Sequence, residues 1–198
     1  MKIKRKFFLF TLLTFLVIFF FIFISSLAKK KDTKLALSSA VDKFELITHT
    51  GESFNSNFFS DKPSLLFFGF LNCPDICPTT LNTISDIITK LDSDNKEVNF
   101  YFVTVDPIRD TMKKMKEYLN HFNPKIIGVT GSKNNINSFL DYMYVYRKKV
   151  YYSEEEYTYD HSSQIFMFHT DGSFFGTISL NESKINIYKK IDKIINGA

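Results

Sequence analysis

Hydrophobic and polar positions divide this chain into one uninterrupted apolar run and a longer, alternating region behind it. Phe7 to Leu27 carries no charge, proline or glycine; as a helix these 21 residues extend roughly 31 Å, enough for a bilayer core of about 30 Å. From Phe44 onward the apolar positions switch between the period of a strand and that of a helix. Phe44 to Thr48 alternates with a period of two and stops at Thr50-Gly51. Ser64 to Leu71 is continuously apolar, as a strand buried on both faces requires, and Val98 to Val105 repeats the pattern. Helical spacing predicts helices over Thr79 to Leu91, Asp110 to Phe122, Asn134 to Met143 and Ile185 to Ile195. Lys125 to Val129 reads as a short strand. Gln164 to His169 and Ser173 to Ile178 read as a hairpin closed by Asp171-Gly172. The acidic and aromatic tract Tyr151 to Asp160 reads as a solvated loop.

The alternation implies an α/β fold with a sheet containing parallel strands, in the element order of a thioredoxin-like domain. The expected organisation is a cytoplasmic tail (1–6), a transmembrane anchor (7–27), a polar tether (28–42) and one domain (43–198). The competing reading of the N-terminus is a cleaved signal peptide. Ser26-Leu27-Ala28 offers a small-residue cleavage pattern, but the apolar run exceeds the roughly 7 to 15 residues of a usual signal core.

Charge changes the picture little. The net charge is +4, and Lys2, Lys4, Lys6, Lys29, Lys30, Lys31 and Lys34 flank the apolar run. Without that flank the chain is close to neutral, so the excess reads as a membrane-topology signal and no nucleic-acid surface is expected. A short tail and a long following domain place the tail in the cytoplasm and the domain across the membrane. The N-terminus lacks a long Arg- and Ser-rich transit peptide, which favours a bacterial inner membrane with the domain in the periplasm.

The candidate chemistry sits in Leu71-Asn72-Cys73-Pro74-Asp75-Ile76-Cys77-Pro78, between a buried strand and a helix. Pro78 suits a first helical turn, and a helix N-terminus favours the thiolate form of a nearby cysteine. Cys73 and Cys77 are the only cysteines, too few for a disulfide framework. Three residues separate them, against two in thioredoxin-type enzymes. Two thiolates on one turn suit a soft ion, and Cu(I) fits; a zinc site wants four protein ligands, and no second pair is present. Of the four histidines, His49, His121 and His169 read as surface residues. His161 precedes a predicted strand whose start comes near the cysteine loop, and the residues alone leave open whether it is a ligand. Asp106-Pro107-Ile108-Arg109-Asp110-Thr111 has two readings: a helix cap by Asp106 or Asp110, or a role for Asp106, at a strand end, in supporting the ligands from behind or in partner docking.

Three stretches together resemble the SCO/SenC family, copper-binding assembly factors of cytochrome c oxidase. They are Phe68-Gly69-Phe70-Leu71-Asn72-Cys73-Pro74-Asp75-Ile76-Cys77-Pro78, then Val105 to Thr111, then Asp160-His161-Ser162. The resemblance spans roughly residues 44 to 195, and the preceding anchor also matches. It implies that Cys73, Cys77 and His161 hold one copper ion, as Cu(I) or Cu(II). The family usually has Thr-His before the first cysteine, where this chain has Leu71-Asn72; that histidine is not a ligand, so the site survives with altered surroundings.

The function so implied is a membrane-anchored chaperone carrying copper from a donor protein to the binuclear site of an oxidase subunit. The alternative is a thiol-disulfide oxidoreductase acting on that subunit's cysteines. A thioredoxin-fold peroxidase is a third reading, against which the cysteine loop has Thr79 and Thr80 but no arginine.

Overall fold

The computed structural model describes residues 14–20 and 37–197, in two separate units, 1–34 and 35–198. In the first unit residues 14–20 are helical, with Phe15 to Phe20 exposed. The rest of the expected anchor, the tail and most of the tether lie outside the described residues. No helix among the described residues is long and apolar enough to cross a membrane.

The second unit contains strands β1 (Leu46–Thr48), β2 (Ser53–Phe54), β3 (Ser64–Gly69), β4 (Asn99–Thr104), β5 (Ile126–Thr130), β6 (Arg147–Tyr151), β7 (Tyr157–His161), β8 (Ile165–Phe168) and β9 (Phe174–Ile178). Its helices are α1 (Leu37–Ala40), α2 (Ile76–Ser93), α3 (Met112–Leu119), α4 (Lys133–Tyr142) and α5 (Lys184–Ile195). Seven strands form one sheet in the order β2-β1-β5-β4-β3-β8-β9, and β6 pairs with β7 alone. β3 runs parallel to β4 and β4 to β5; β1, β8 and β9 pair antiparallel.

The apolar runs of β3 and β4 serve two cores because successive side chains point to opposite faces. Leu65, Phe67, Phe100 and Phe102 pack with α2, α3 and α5; Leu66, Phe68, Tyr101 and Val103 pack with α1 and α4. This is the expected α/β architecture.

Four local expectations change. The folded domain begins before residue 43, because Leu37–Ala40 is helical and Leu37, Ala40 and Val41 are buried. Leu37 N–H donates to the Gly172 carbonyl at 2.8 Å and Ser38 Oγ to the Asp171 carbonyl at 2.7 Å, hooking the start of the domain to the β8–β9 turn. The tract Tyr151 to Asp160 is not a free loop: most of it belongs to the β6–β7 hairpin, in which Arg147 faces His161. Helix α3 begins later than Asp110, capped by Thr111, whose hydroxyl accepts the Lys114 N–H; neither Asp106 nor Asp110 is its cap. His49 is half-buried, and its Nδ1 accepts the Gly128 N–H at 3.0 Å, so it pins β1 to β5; burial lowers its pKa.

The hairpin enters through a left-handed turn. Tyr144 has φ 53°, its N–H donates to Asp141 and that of Val145 to Leu140, closing α4 in a Schellman arrangement before the chain rises into β6.

Candidate metal centre

β3 ends at Gly69, and the chain turns through Phe70 to Asp75 before α2 begins. The Cys73 N–H donates to the Phe70 carbonyl at 3.2 Å, which tightens that turn. Cys73 is half-buried at the turn, and Cys77, the second residue of α2, is fully buried beneath it. The Cys77 N–H donates to Cys73 Sγ at 3.4 Å. The first cysteine thus takes a free N–H of the helix start, where negative charge is favoured.

Both cysteines are free thiols, and they share a proton unequally. A hydrogen bond from the Cys77 side chain, joined by the N–H groups of Cys77 and Asp75, outweighs burial and draws Cys73 down to about 4. The same bond, burial and the Cys73 thiolate charge push Cys77 up. Cys73 is therefore the thiolate and Cys77 the thiol that donates to it.

His161 ends β7, and its ring packs edge-on against Phe70 of the cysteine loop with centroids 5.6 Å apart. Nδ1 lies 2.9 Å from the Ser162 carbonyl, which can only accept, so Nδ1 carries the hydrogen. That leaves Nε2 as the nitrogen with a lone pair for a metal, the backbone tie setting the tautomer.

The sequence-predicted residues therefore lie on one loop and on the strand end packed against it. Among the described residues no group of three or more His, Cys, Asp or Glu is already gathered as a metal cage. Two sulfurs and one imidazole are a soft donor set, of the kind that suits copper.

A second network, which spacing did not reveal, lies beside the first. Asp106 and Asp110 are fully buried at the end of β4. Asp110 Oδ2 accepts from the Leu71 N–H at 3.1 Å and from Thr104 Oγ1 at 2.7 Å, tying the cysteine loop to β4; its Oδ1 is buried without a partner. Burial raises the Asp110 carboxyl to about 6, and its charge adds to the upward push on Cys77. Asp106 pairs with Arg109 Nε through one oxygen and accepts from the Tyr157 hydroxyl at 3.1 Å through the other. A cleft of about 370 Å³ separates Asn72, Pro74 and Arg109 from Tyr152, Glu155 and Glu156 of the hairpin.

Residues 32–196 match SCO1/SenC. The chain belongs to the SCO1/SenC family. The SCO2-like protein of Rickettsia conorii is 39% identical over 142 residues, covering 71% of this chain and 69% of its own. The mitochondrial SCO1 homologue of Homo sapiens is 31% identical over 156 residues, 75% of this chain and 50% of its own. Among solved structures, Bradyrhizobium japonicum ScoI with copper bound has 34% identity and a TM-score of 0.70, covering 75% of this chain and 95% of its own. Yeast Sco1 with copper bound has 29% identity and a TM-score of 0.72, covering 77% and 86%. The family assignment and the thioredoxin-like fold expected from the three motifs both hold.

Proposed function

We propose that this chain is a copper carrier whose ligands are Cys73, Cys77 and His161, serving the maturation of the binuclear copper site of cytochrome c oxidase. The observation that carries the reading is the pairing of Cys77 N–H with Cys73 Sγ at 3.4 Å on a loop whose Phe70 ring packs against His161 at 5.6 Å. Membership of a family with copper-bound structures supports it.

Cys73 is charged before the metal arrives. Cu(I) binding displaces the proton that Cys77 holds, so loading releases a proton and recruits the second thiolate. Nε2 of His161 adds a nitrogen donor. Cu(II) depends on that nitrogen more than Cu(I) does, because two thiolates already satisfy the softer ion. A copper donor protein would load the site and an oxidase subunit would receive the ion. Residues 7–27 would anchor the chain in a bacterial inner membrane with the domain in the periplasm, in line with its charge-flanked apolar run and its bacterial relatives.

A second reading has one observation in its favour. A half-buried cysteine of low pKa above a buried partner thiol is also the arrangement of a thiol-disulfide oxidoreductase. The His161→Ala variant separates the two. As a carrier it should bind Cu(I) more weakly and lose a stable Cu(II) complex, read by absorption and electron paramagnetic resonance, while Cys73 and Cys77 still oxidise to a disulfide. Wild-type binding of both copper states by the variant overturns the ligand assignment. Normal oxidase assembly in cells carrying it would then favour the reductase.

A further inference from the structure

We propose that Arg109 is a positioning residue for His161, acting through Tyr157. The proposal rests on the copper-site reading above and names what sets the place of its histidine.

His161 is carried by a two-stranded hairpin that forms no backbone ladder with the main sheet. An isolated two-stranded ribbon is marginal in water, so its position depends on side-chain ties to the rest of the domain. On β7, Tyr157, Tyr159 and His161 alternate and therefore share a face. Tyr159 and His161 both stack edge-on against Phe70, at 5.8 and 5.6 Å, and Tyr157 stacks on Tyr159 at 5.8 Å. Phe70 is three residues before Cys73, so this ladder runs from the strand to the cysteine loop.

Aromatic edges alone allow sliding. On β6, Arg147 donates to Asp141 and Asn137 of α4; on β7, Tyr157 carries the directional contacts to the end of β4. The Arg109 guanidinium lies 3.7 Å from its ring centroid, and Arg109 Nη1 donates to its backbone carbonyl at 2.8 Å. Lys149 Nζ lies 3.4 Å from the same centroid. Two cations this close to one centroid must occupy opposite faces, so the ring is clamped between them. The Tyr157 hydroxyl donates to Asp106, and Asp106 in turn pairs with Arg109. Burial, then the neighbouring Asp106 charge, push this hydroxyl up to about 12, so it remains a donor.

Arg109 thus joins three things at once: a buried carboxylate at the end of β4, a tyrosine ring and a β7 carbonyl. The planar fork of arginine can do this and an ammonium cannot. His161 lies four residues along the same strand and the same face, so fixing Tyr157 fixes where the imidazole stands against Phe70 of the cysteine loop. The second tie is local, from Nδ1 to Ser162, and sets the ring's tautomer without fixing the strand.

The test uses the full chain in detergent, as Arg109→Lys, which keeps a cation for Asp106, and Tyr157→Ala, which removes the clamped ring from a half-exposed position. In metal-free protein, amide exchange over residues 157–161 should accelerate at least tenfold in both variants, with exchange in β3 and β4 unchanged. Added Cu(II) should bind about 10- to 100-fold more weakly, as expected when the support of a ligand is lost. The rate of Cys73–Cys77 disulfide formation should match wild type, because neither cysteine contacts the clip. Wild-type exchange at 157–161 in both folded variants overturns the proposal. So does faster exchange with undiminished Cu(II) affinity, since the clip would then hold the hairpin but not the ligand. His161→Ala run alongside tests the underlying reading separately: if it binds Cu(II) like wild type, the ligand assignment fails, and the metal-free exchange still decides whether Arg109 positions the hairpin.

Discussion

The Cys77 sulfur lies directly over Gly69: a Cβ built on that glycine would stand 2.7 Å from Cys77 Sγ and 2.7 Å from Phe102 Cε2. Contact that close forces a shift, and neither the buried ring nor the first turn of α2 has room to give. Gly69→Ala should therefore destabilise the domain by about 1–3 kcal/mol, as overpacking in cores does. It should also weaken Cu(I) binding beyond what partial unfolding explains, because it displaces a thiolate. Denaturant melts beside a Cu(I) competition titration check this. Wild-type copper affinity in the folded variant would show that the sulfur needs no such clearance.

In reduced, metal-free protein, Cys73 should react as a thiolate well below the range of an ordinary cysteine. With its pKa near 4 and Cys77 raised, iodoacetamide should label Cys73 alone. The rate should stay nearly flat from pH 8 to about pH 5, whereas a thiol of pKa about 8.5 slows tenfold per unit below pH 8. Peptide mapping of the labelled protein identifies the site. A rate that climbs with a midpoint above 8 would remove the shared-proton account.

Asp110 makes stability depend on pH with a definite sign. Its carboxyl rises from 3.8 to about 6 in the folded protein, so the native state holds this proton more tightly than the unfolded chain. The stabilising contribution is fully present below pH 3.8 and is lost as pH rises through about 6, on the order of 2–3 kcal/mol in all. Asp110→Asn keeps the shape and can place its amide where Oδ1 lacks a partner. The wild-type minus variant stability should fall by that amount between pH 4 and pH 7 in urea melts. Parallel pH profiles would place the Asp110 carboxyl at its ordinary value.

The full-length chain should stay with membranes after washing at high salt and alkaline pH, as its uncharged run Phe7 to Leu27 requires of an anchor. Fractionation and N-terminal mapping provide the check. A soluble mature form beginning near Lys29 would establish a signal peptide instead.

The candidate cysteines were legible because two of them on a strand-to-helix turn carry their chemistry in the sequence, whereas His161 stayed open until the family resemblance singled it out. The central strands were legible because continuous apolar runs leave them no alternative to burial on both faces. The hairpin was not. Tyr151 to Asp160 carries three consecutive glutamates and only a short period of two at Tyr157 and Tyr159, too little to announce a strand, and its partner strand β6 is largely polar. The clip was hidden because Arg109 and Tyr157 lie far apart along the chain and meet only once β4 and β7 are in place. Asp106 and Asp110 looked like helix caps because acidic residues before a helix usually are; burial beside the cysteine loop gave them other partners, and Thr111 took the cap.

The hook between Leu37 and Gly172 gives the domain a foot and a head. β8 pairs with β3 so that Phe168, beside the hooked turn, lies against Ser64, the first residue of β3, whereas the cysteine turn follows Gly69 at its far end. About 17 Å of strand separates the two ends. The chain therefore enters the domain at the end of β3 opposite the cysteine turn.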